Sequence, residues 1–344
     1  MTRRVQKWDL LKLFLMFCVV LGHFADVHSG TSEFAQSLYL LLYSFHMPLF
    51  IFISGLMSKR MVNEKQWDKM FGYLVLYFVL KLIKYIYDAV FDQDFTFRVF
   101  GETGIAWFMF ALFAFSAMTV FTSRYKPAFV LVFSILLSLF AGYDTEVNST
   151  LVLSRIIVLY PFYYAGYCID PQKLEKISRI KVLKLISIVL IGVLIWVAFT
   201  FKGLYVVRPM LVCQHPYERL NEYAAFGPLI RLACYAVSTL ASLCFIIITP
   251  NRIGKGFIAK FGQYTLSVYC FHYLIIYLVY RTFKIMETFT EDEMMWMIFP
   301  LSLITMLLLS NKWLNTLVVK LLELPKKARK PIEQKREKQS VHPE

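Results

Sequence analysis

No disulfide logic can be read in this chain of 344 residues. Its six cysteines, Cys18, Cys168, Cys213, Cys234, Cys244 and Cys270, have no paired spacing. Most fall inside apolar runs, where cysteine behaves as a small hydrophobe, so neither a disulfide framework nor a zinc site follows. Metal-ligand and phosphate-loop spacings are also missing, and no permanently bound metal or cofactor is expected. The absence of an internal repeat weighs against a transporter built from paired halves. The N-terminus has a basic start and an apolar run but no small-residue cleavage site, so a retained first span is expected rather than a signal peptide. Charge itself is scarce: Asp, Glu, Lys and Arg make up 17% of residues against 58% hydrophobic, with mean hydropathy +0.57. That balance excludes an ordinary soluble domain.

Repeated apolar runs near the bilayer-crossing length point instead to an all-α, polytopic integral membrane protein. About ten transmembrane helices are read, at 10–25, 38–57, 71–90, 104–121, 128–142, 153–169, 183–201, 229–249, 264–283 and 297–317. The 32 Phe and 21 Tyr suit lipid-facing surfaces and interfacial belts. A net charge of +14 would suggest a nucleic-acid partner in a soluble chain, but here the basic residues collect in alternate loops. Arg3, Arg4 and Lys7 precede the first span; Lys59, Arg60, Lys65 and Lys69 follow the second; Lys173, Lys176, Arg179 and Lys181 follow the sixth; Arg252, Lys255 and Lys260 follow the eighth. Intervening loops carry Asp26, Glu33, Asp92, Asp94, Glu102, Asp144, Glu146 and Glu291. By the positive-inside rule both termini are cytoplasmic and the number of spans is even. The longest outer connection, 202–228, mixes Arg208, His215, Tyr217, Arg219, Glu222 and Tyr223, and suits either a polar ligand such as a sugar or an aromatic-anchored interfacial loop. The stretch 325–344 is charged and proline-punctuated, and reads as a disordered cytoplasmic tail whose lysines can meet anionic lipid.

Two spans at the start carry the ionisable residues. His23 lies near the end of the first, His46 within the second, and an ionisable side chain at membrane depth usually faces a polar cavity. Lys12 precedes His23 by eleven positions, about three helical turns, so both share one face roughly 16 Å apart. Asp9 lies one turn before Lys12 and is its natural partner. Pro48 is expected to kink the second span and free a backbone carbonyl. Arg155, near the outer end of the sixth span, either holds a polar acceptor or an oxyanion, or snorkels to the interface. Lys81 and Lys84 share a face of the third span, with pairing to Asp88 as the leading alternative to phosphate binding.

Lys12 with His23, the run Phe45-His46-Met47-Pro48-Leu49-Phe50 leading to Ser54-Gly55, and the segment Tyr264-Thr265-Leu266-Ser267-Val268-Tyr269 ending at His272 together resemble the acyltransferase 3 family. Trp107 to Leu112 and Arg155 to Gly166 add to that resemblance, which runs from about residue 8 to about 315 and is closest to the fucose 4-O-acetylase-like branch. The family is made of integral-membrane enzymes of bacteria and some eukaryotes. The resemblance implies transfer of an acyl group, commonly acetyl, from a coenzyme A thioester to a hydroxyl of a cell-surface or lipid-linked carbohydrate. Acyl-CoA (acetyl-CoA) is then a co-substrate, not a bound cofactor. The family's basic residue maps onto Lys12 and its essential histidine onto His23, with His46 from the second-span motif. An RxxR pair often seen in the first cytoplasmic loop is here only Lys65 and Lys69, which supply charge without bidentate geometry.

The residues themselves agree with that chemistry. Acylating an alcohol removes its proton, and an imidazole suits that task near pH 7. His23 is therefore expected as general base or transient acyl carrier, with His46 as a second catalytic group. Lys12, Lys65 and Lys69 are expected on the donor side; Asp9, Arg155 and His272 have acceptor-binding or structural roles. The expected arrangement is one membrane-embedded acyltransferase domain, 1–324, in the cytoplasmic (inner) membrane. The alternative reading is a transporter or flippase without covalent chemistry, since intramembrane His and Lys also mark permeation paths.

Overall fold

A computed structural model describes residues 6–91, 104–145, 152–251, 261–283 and 292–329, which form helices joined by short connections, with no strand among the described residues. In chain order the helices are α1 (Gln6–His28), α2 (Glu33–Tyr43), α3 (His46–Asn63), α4 (Trp67–Phe91), α5 (Trp107–Thr122), α6 (Pro127–Ala141), α7 (Leu153–Cys168), α8 (Pro171–Ile177), α9 (Lys181–Thr200), α10 (Arg208–Val212), α11 (Gly227–Ile248), α12 (Thr265–Phe283), α13 (Ile298–Leu309) and α14 (Lys312–Leu322). Short 3-10 turns occupy Gly104–Ala106, Lys202–Val207, Tyr217–Phe226 and Asp292–Met297.

Apart from the stripe of Asp9, Lys12 and His23, helix α1 is largely apolar around its circumference, and a helix of that kind belongs in the middle of a bundle. It packs against α2, α3, α12 and α13, burying Leu11, Leu15, Met16, Val20 and Phe24. Helix α9 shows the opposite pattern: Val182, Leu185, Ile188, Val189 and Trp196 are exposed along it. Exposed apolar side chains continue over α4, α6 and α11, an apolar surface of the kind a bilayer covers.

Among the described residues, five helical stretches are long and apolar enough to cross a membrane: Gln6–His28, Glu33–Asn63, Gly104–Thr122, Lys181–Thr200 and Tyr217–Ile248. Helices α13 and α14 make a sixth if counted as one span, although a bend of 67° separates them. The expected continuous span 297–317 is thus broken, and Asn311 explains where: its side chain caps the Trp313 amide and starts a new helix. Fewer helices than the ten read from the sequence pass the length test, and α6 is a shorter apolar helix of 15 residues. The second expected span, 38–57, is also two helices, interrupted at Ser44–Phe45 immediately before His46. Pro48 accounts for the break, because it has no amide to offer the Ser44 carbonyl four residues back. The first part of the expected disordered tail, 325–329, is helical, and Arg329 pairs with Asp68 at 3.3 Å. Loop charges Arg3, Arg4, Asp92, Asp94, Glu102, Glu146, Arg252, Lys255, Lys260 and Glu291, and residues 330–344, lie outside the described residues.

The most extensive packing joins α3 to α7, and it is a backbone-to-backbone approach. A Cβ added at Gly55 would meet the Tyr163 carbonyl, and one added at Gly166 would meet the Phe52 carbonyl. Small residues at a crossing let helices in an apolar medium gain van der Waals contact and place their polar groups accurately. Helix α11 serves the backbone in another way. The Ser238 hydroxyl donates to the Ser44 carbonyl at 2.6 Å, filling the place of the amide Pro48 lacks. Tyr235 donates to the Val158 carbonyl at 2.5 Å, one turn before Pro161 inside α7. Buried Arg231 donates to the Ser138 carbonyl at 2.6 Å and to His215 O at 3.4 Å, with its guanidinium over the Tyr217 ring.

Two stability predictions follow from these contacts. Gly55→Val and Gly166→Val force the α3–α7 crossing apart, and each is expected to cost about 1–3 kcal/mol. Ser238→Ala leaves a buried carbonyl without a donor, at a cost of about 1–3 kcal/mol, while Tyr235→Phe removes one hydrogen bond, at about 0.5–1.5 kcal/mol. Thermal unfolding midpoints in one detergent, with the exposed Leu185→Ala as the unaffected comparison, check both.

Candidate active site

Three histidines from separate helices, His23, His46 and His272, converge in the bundle. The His23 ring on α1 is 5.2 Å from the His272 ring on α12 and 5.2 Å from the Tyr273 ring beside it. His46 and Arg155 are also within electrostatic reach of His23. His23, Tyr43 and Arg155 are each partly accessible although protein surrounds them, so their side chains line an internal chamber.

His46 owes its place to the break between α2 and α3, which sets it on the first turn of α3. Its Nδ1 lies 2.7 Å from the Leu42 carbonyl. A carbonyl only accepts, so Nδ1 carries the proton and Nε2 keeps a lone pair. Tyr43 stands edge-on to His46 at 4.7 Å and stacks on Tyr39 at 3.7 Å. The same Tyr43 ring lies over Gly22, where an added Cβ would come within 3.2 Å of it. Tyr43 thus bridges the His46 helix and the residue next to His23.

Arg155, in the first turn of α7, faces inward. Its Nε donates to the Val212 carbonyl and its Nη2 to the Gln214 side chain, each at 3.1 Å, and the guanidinium lies 4.3 Å from the Trp107 ring centre. These contacts are with protein groups rather than with the interface, so the snorkelling alternative falls away. Toward the C-terminal end of α1 the chamber is bordered by an ion pair between Asp26 of α1 and Arg208 of α10, 2.7 Å long, with the Arg208 guanidinium 5.0 Å from the Tyr39 ring. In the connection that carries Arg208, burial, then the charges of Arg219, Arg155 and Arg208, hold His215 below the usual histidine range.

His272 is fully buried. Its helix is fixed by Ser267, which donates to the Leu309 carbonyl at 2.9 Å, and by the Tyr269 hydroxyl, which donates to the Ile105 carbonyl. The Tyr264–Tyr269 segment therefore positions a helix, and what it positions is the histidine.

The remaining predicted residues lie elsewhere. Lys12 pairs with Asp9 at 2.9 Å, at the other end of α1 from His23. Lys65 sits in a left-handed turn after α3 and Lys69 on the first turn of α4, both exposed. Lys65 is roughly 28 Å along the α3 axis from His46. The Lys84 ammonium pairs with Asp88, and Lys81 donates to the Tyr77 hydroxyl at 3.1 Å. Several contributors were not read as site residues from the sequence: Tyr39, Tyr43, Tyr273, Asp26 and Arg208. The Tyr39–Tyr43 spacing of four was the available signal, since it puts both rings on one face of α2, just ahead of His46. Two cavities lie away from this chamber. One of about 260 Å³ lies among α3, α6, α7 and α11, and one of about 280 Å³ among α2, α9 and α11; both have apolar walls.

Comparison with known proteins adds to this geometry. The family model described as an acyltransferase domain matches residues 5–310. Nodulation protein NolL of Mesorhizobium japonicum is 23% identical over 281 residues, covering 76% of this chain and 74% of that protein. No solved structure matches the chain. A match over nearly the whole chain decides against the transporter alternative: the chain belongs to the acyltransferase 3 family and is an O-acyltransferase built on membrane-spanning helices.

Proposed function

We propose that the protein moves an acyl group, most simply acetyl, from a coenzyme A thioester to a hydroxyl of a cell-surface or lipid-linked carbohydrate, with His23 as general base or acyl carrier. The observation that carries this reading is the meeting of His23, His46, His272 and Arg155 around one internal chamber. In direct transfer the acceptor hydroxyl gives its proton to the His23 imidazole as its oxygen attacks the thioester carbon. The carbon–oxygen bond forms, the carbon–sulfur bond breaks, and the imidazolium returns the proton to the departing sulfur. His46, with its Nε2 lone pair, accepts from a neighbouring hydroxyl of the acceptor and so orients the molecule, and Arg155 faces the carbonyl oxygen as it becomes negative.

The proposed setting is the cytoplasmic membrane, with ten crossings and both termini in the cytoplasm, as the loop charges favour. The acyl donor then enters from the Lys12 end, where Lys12, Lys65 and Lys69 gather positive charge for its phosphates. The acceptor enters past Asp26, Arg208 and Tyr39, a mixture of ionic and aromatic groups suited to a sugar. The reading as carbohydrate acceptor rests on this mouth.

Purified protein incubated with radiolabelled acetyl-CoA and a membrane glycolipid extract is expected to release free coenzyme A. His23→Ala should lower that rate by about 10²–10⁴-fold, the usual contribution of a general base. Wild-type turnover in His23→Ala would remove His23 from the chemistry. At the outer mouth, Asp26→Asn and Arg208→Gln are each expected to raise the acceptor KM severalfold with little change in the KM for acetyl-CoA. Equal increases in both constants, or none, would place acceptor binding elsewhere.

A further inference from the structure

His272 is buried beside the proposed base and makes only half of its possible hydrogen bonds. Its Nδ1 lies 3.0 Å from the Val268 carbonyl and 2.8 Å from the Tyr269 carbonyl, the carbonyls one helical turn back. Two acceptors on one ring nitrogen require that nitrogen to carry the proton, which fixes the tautomer of the neutral ring. The other nitrogen, Nε2, is then a lone-pair acceptor. It is buried and has no hydrogen-bond partner among the described residues. An acceptor left bare in an apolar bundle costs free energy, so a donor is expected for it.

The side chains around it narrow the choice. Tyr269 is committed, its hydroxyl donating to the Ile105 carbonyl. The Tyr273 ring is farther from that of His272, at 6.4 Å, and stands edge-on to Tyr277 at 4.4 Å. The His23 ring is nearer, at 5.2 Å and tilted by 37°, and no hydrogen bond engages either of its nitrogens among the described residues. Two imidazoles joined by an N–H···N bond of about 2.9 Å have ring centres about 5 Å apart, so that separation is the one at which an N–H of His23 can meet Nε2.

We infer that His272 is the positioning residue for His23: its Nε2 accepts the N–H of His23, holding that ring in one orientation and one tautomer with the opposite nitrogen bare toward the acceptor hydroxyl. The inference rests on the reading of His23 as the group that takes the hydroxyl proton. A neutral imidazole offers a base only on the nitrogen without hydrogen, and a free ring divides its proton between the two. An acceptor on one side removes that division, as a carboxylate does for the histidine of a hydrolase triad. When His23 becomes an imidazolium, the same lone pair faces a stronger donor, so the contact tightens as the proton is taken. His272 thus supplies an acceptor without adding a negative charge at membrane depth.

The test uses the full-length protein in detergent and compares His272→Leu, His272→Gln and His23→Ala with the wild type. Coenzyme A release is measured at varied acetyl-CoA and acceptor extract, and thermal midpoints are recorded for every variant. His272→Leu fills the space without an acceptor and is expected to lower kcat by 10²-fold or more, with both KM values within about twofold of wild type. His272→Gln restores an acceptor oxygen and is expected to recover at least tenfold of that loss at a thermal midpoint no higher than that of His272→Leu. If His272→Gln is as poor as His272→Leu although both fold, or if His272→Leu retains wild-type kcat, the positioning role is overturned. Loss that follows the thermal midpoint, with His272→Gln no better than its stability allows, overturns it too. Wild-type activity in His23→Ala is the distinct result that overturns the underlying reading of His23.

Discussion

Backbone carbonyls in an apolar bundle must find donors within the protein, since no water is at hand to supply them. Much of this architecture follows from meeting that demand. Pro48 removes an amide from a helix, and the Ser44 carbonyl would be stranded in the bundle interior. Helix α11 reaches it with Ser238, while Tyr235 reaches the Val158 carbonyl beside the Pro161 irregularity and Arg231 a third carbonyl near the end of α6. These three residues lie at spacings of four and three, so one face of an otherwise apolar helix serves as a polar stripe. Because that stripe is in place, α3 can begin at His46 without leaving the broken end exposed to hydrocarbon.

The close crossing at Gly55 and Gly166 fixes how α3 lies on α7, and so how His46 at the head of α3 stands relative to Arg155 near the head of α7. Glycine at both positions is required because the opposing atoms are carbonyl groups, which cannot move aside as a flexible side chain would. Tyr43 completes the link by lying over Gly22, next to His23. The chamber is thus positioned by backbone contacts and rigid rings rather than by long flexible side chains. Such a frame holds reacting groups within the narrow tolerance that chemistry needs.

The helical class and the membrane setting were legible in composition alone, and the Lys12–His23 stripe was legible in its spacing. The gathering of His23, His46, Arg155 and His272 was legible only through motif resemblance, since no local pattern says that α1 and α12 are neighbours. Two breaks were harder to read. Pro48 signalled the first, but its location at Ser44–Phe45 depended on Ser238, nearly two hundred residues away. The second depended on the cap that Asn311 provides inside an apolar run. Arg231 and its stripe escaped because a lone arginine in a hydrophobic segment does not announce that it will donate to carbonyls. The donor-side lysines were read from charge and loop position, and such a reading cannot tell an exposed lysine from one that meets a ligand.

The anchoring of the connection 202–228 has a consequence for selectivity. Tyr217 is buried, its amide donates to the Gly142 carbonyl at 2.7 Å, its hydroxyl donates to the Leu139 carbonyl at 2.8 Å, and Arg231 covers its ring. A connection stapled in this way has little freedom to fold down over a bound molecule, in contrast to the lids by which many enzymes wrap their substrates. Discrimination must then be exercised at entry, by whether a molecule fits an opening already shaped. Little ordering entropy is lost when it does, and an acceptor can leave as readily as it arrived.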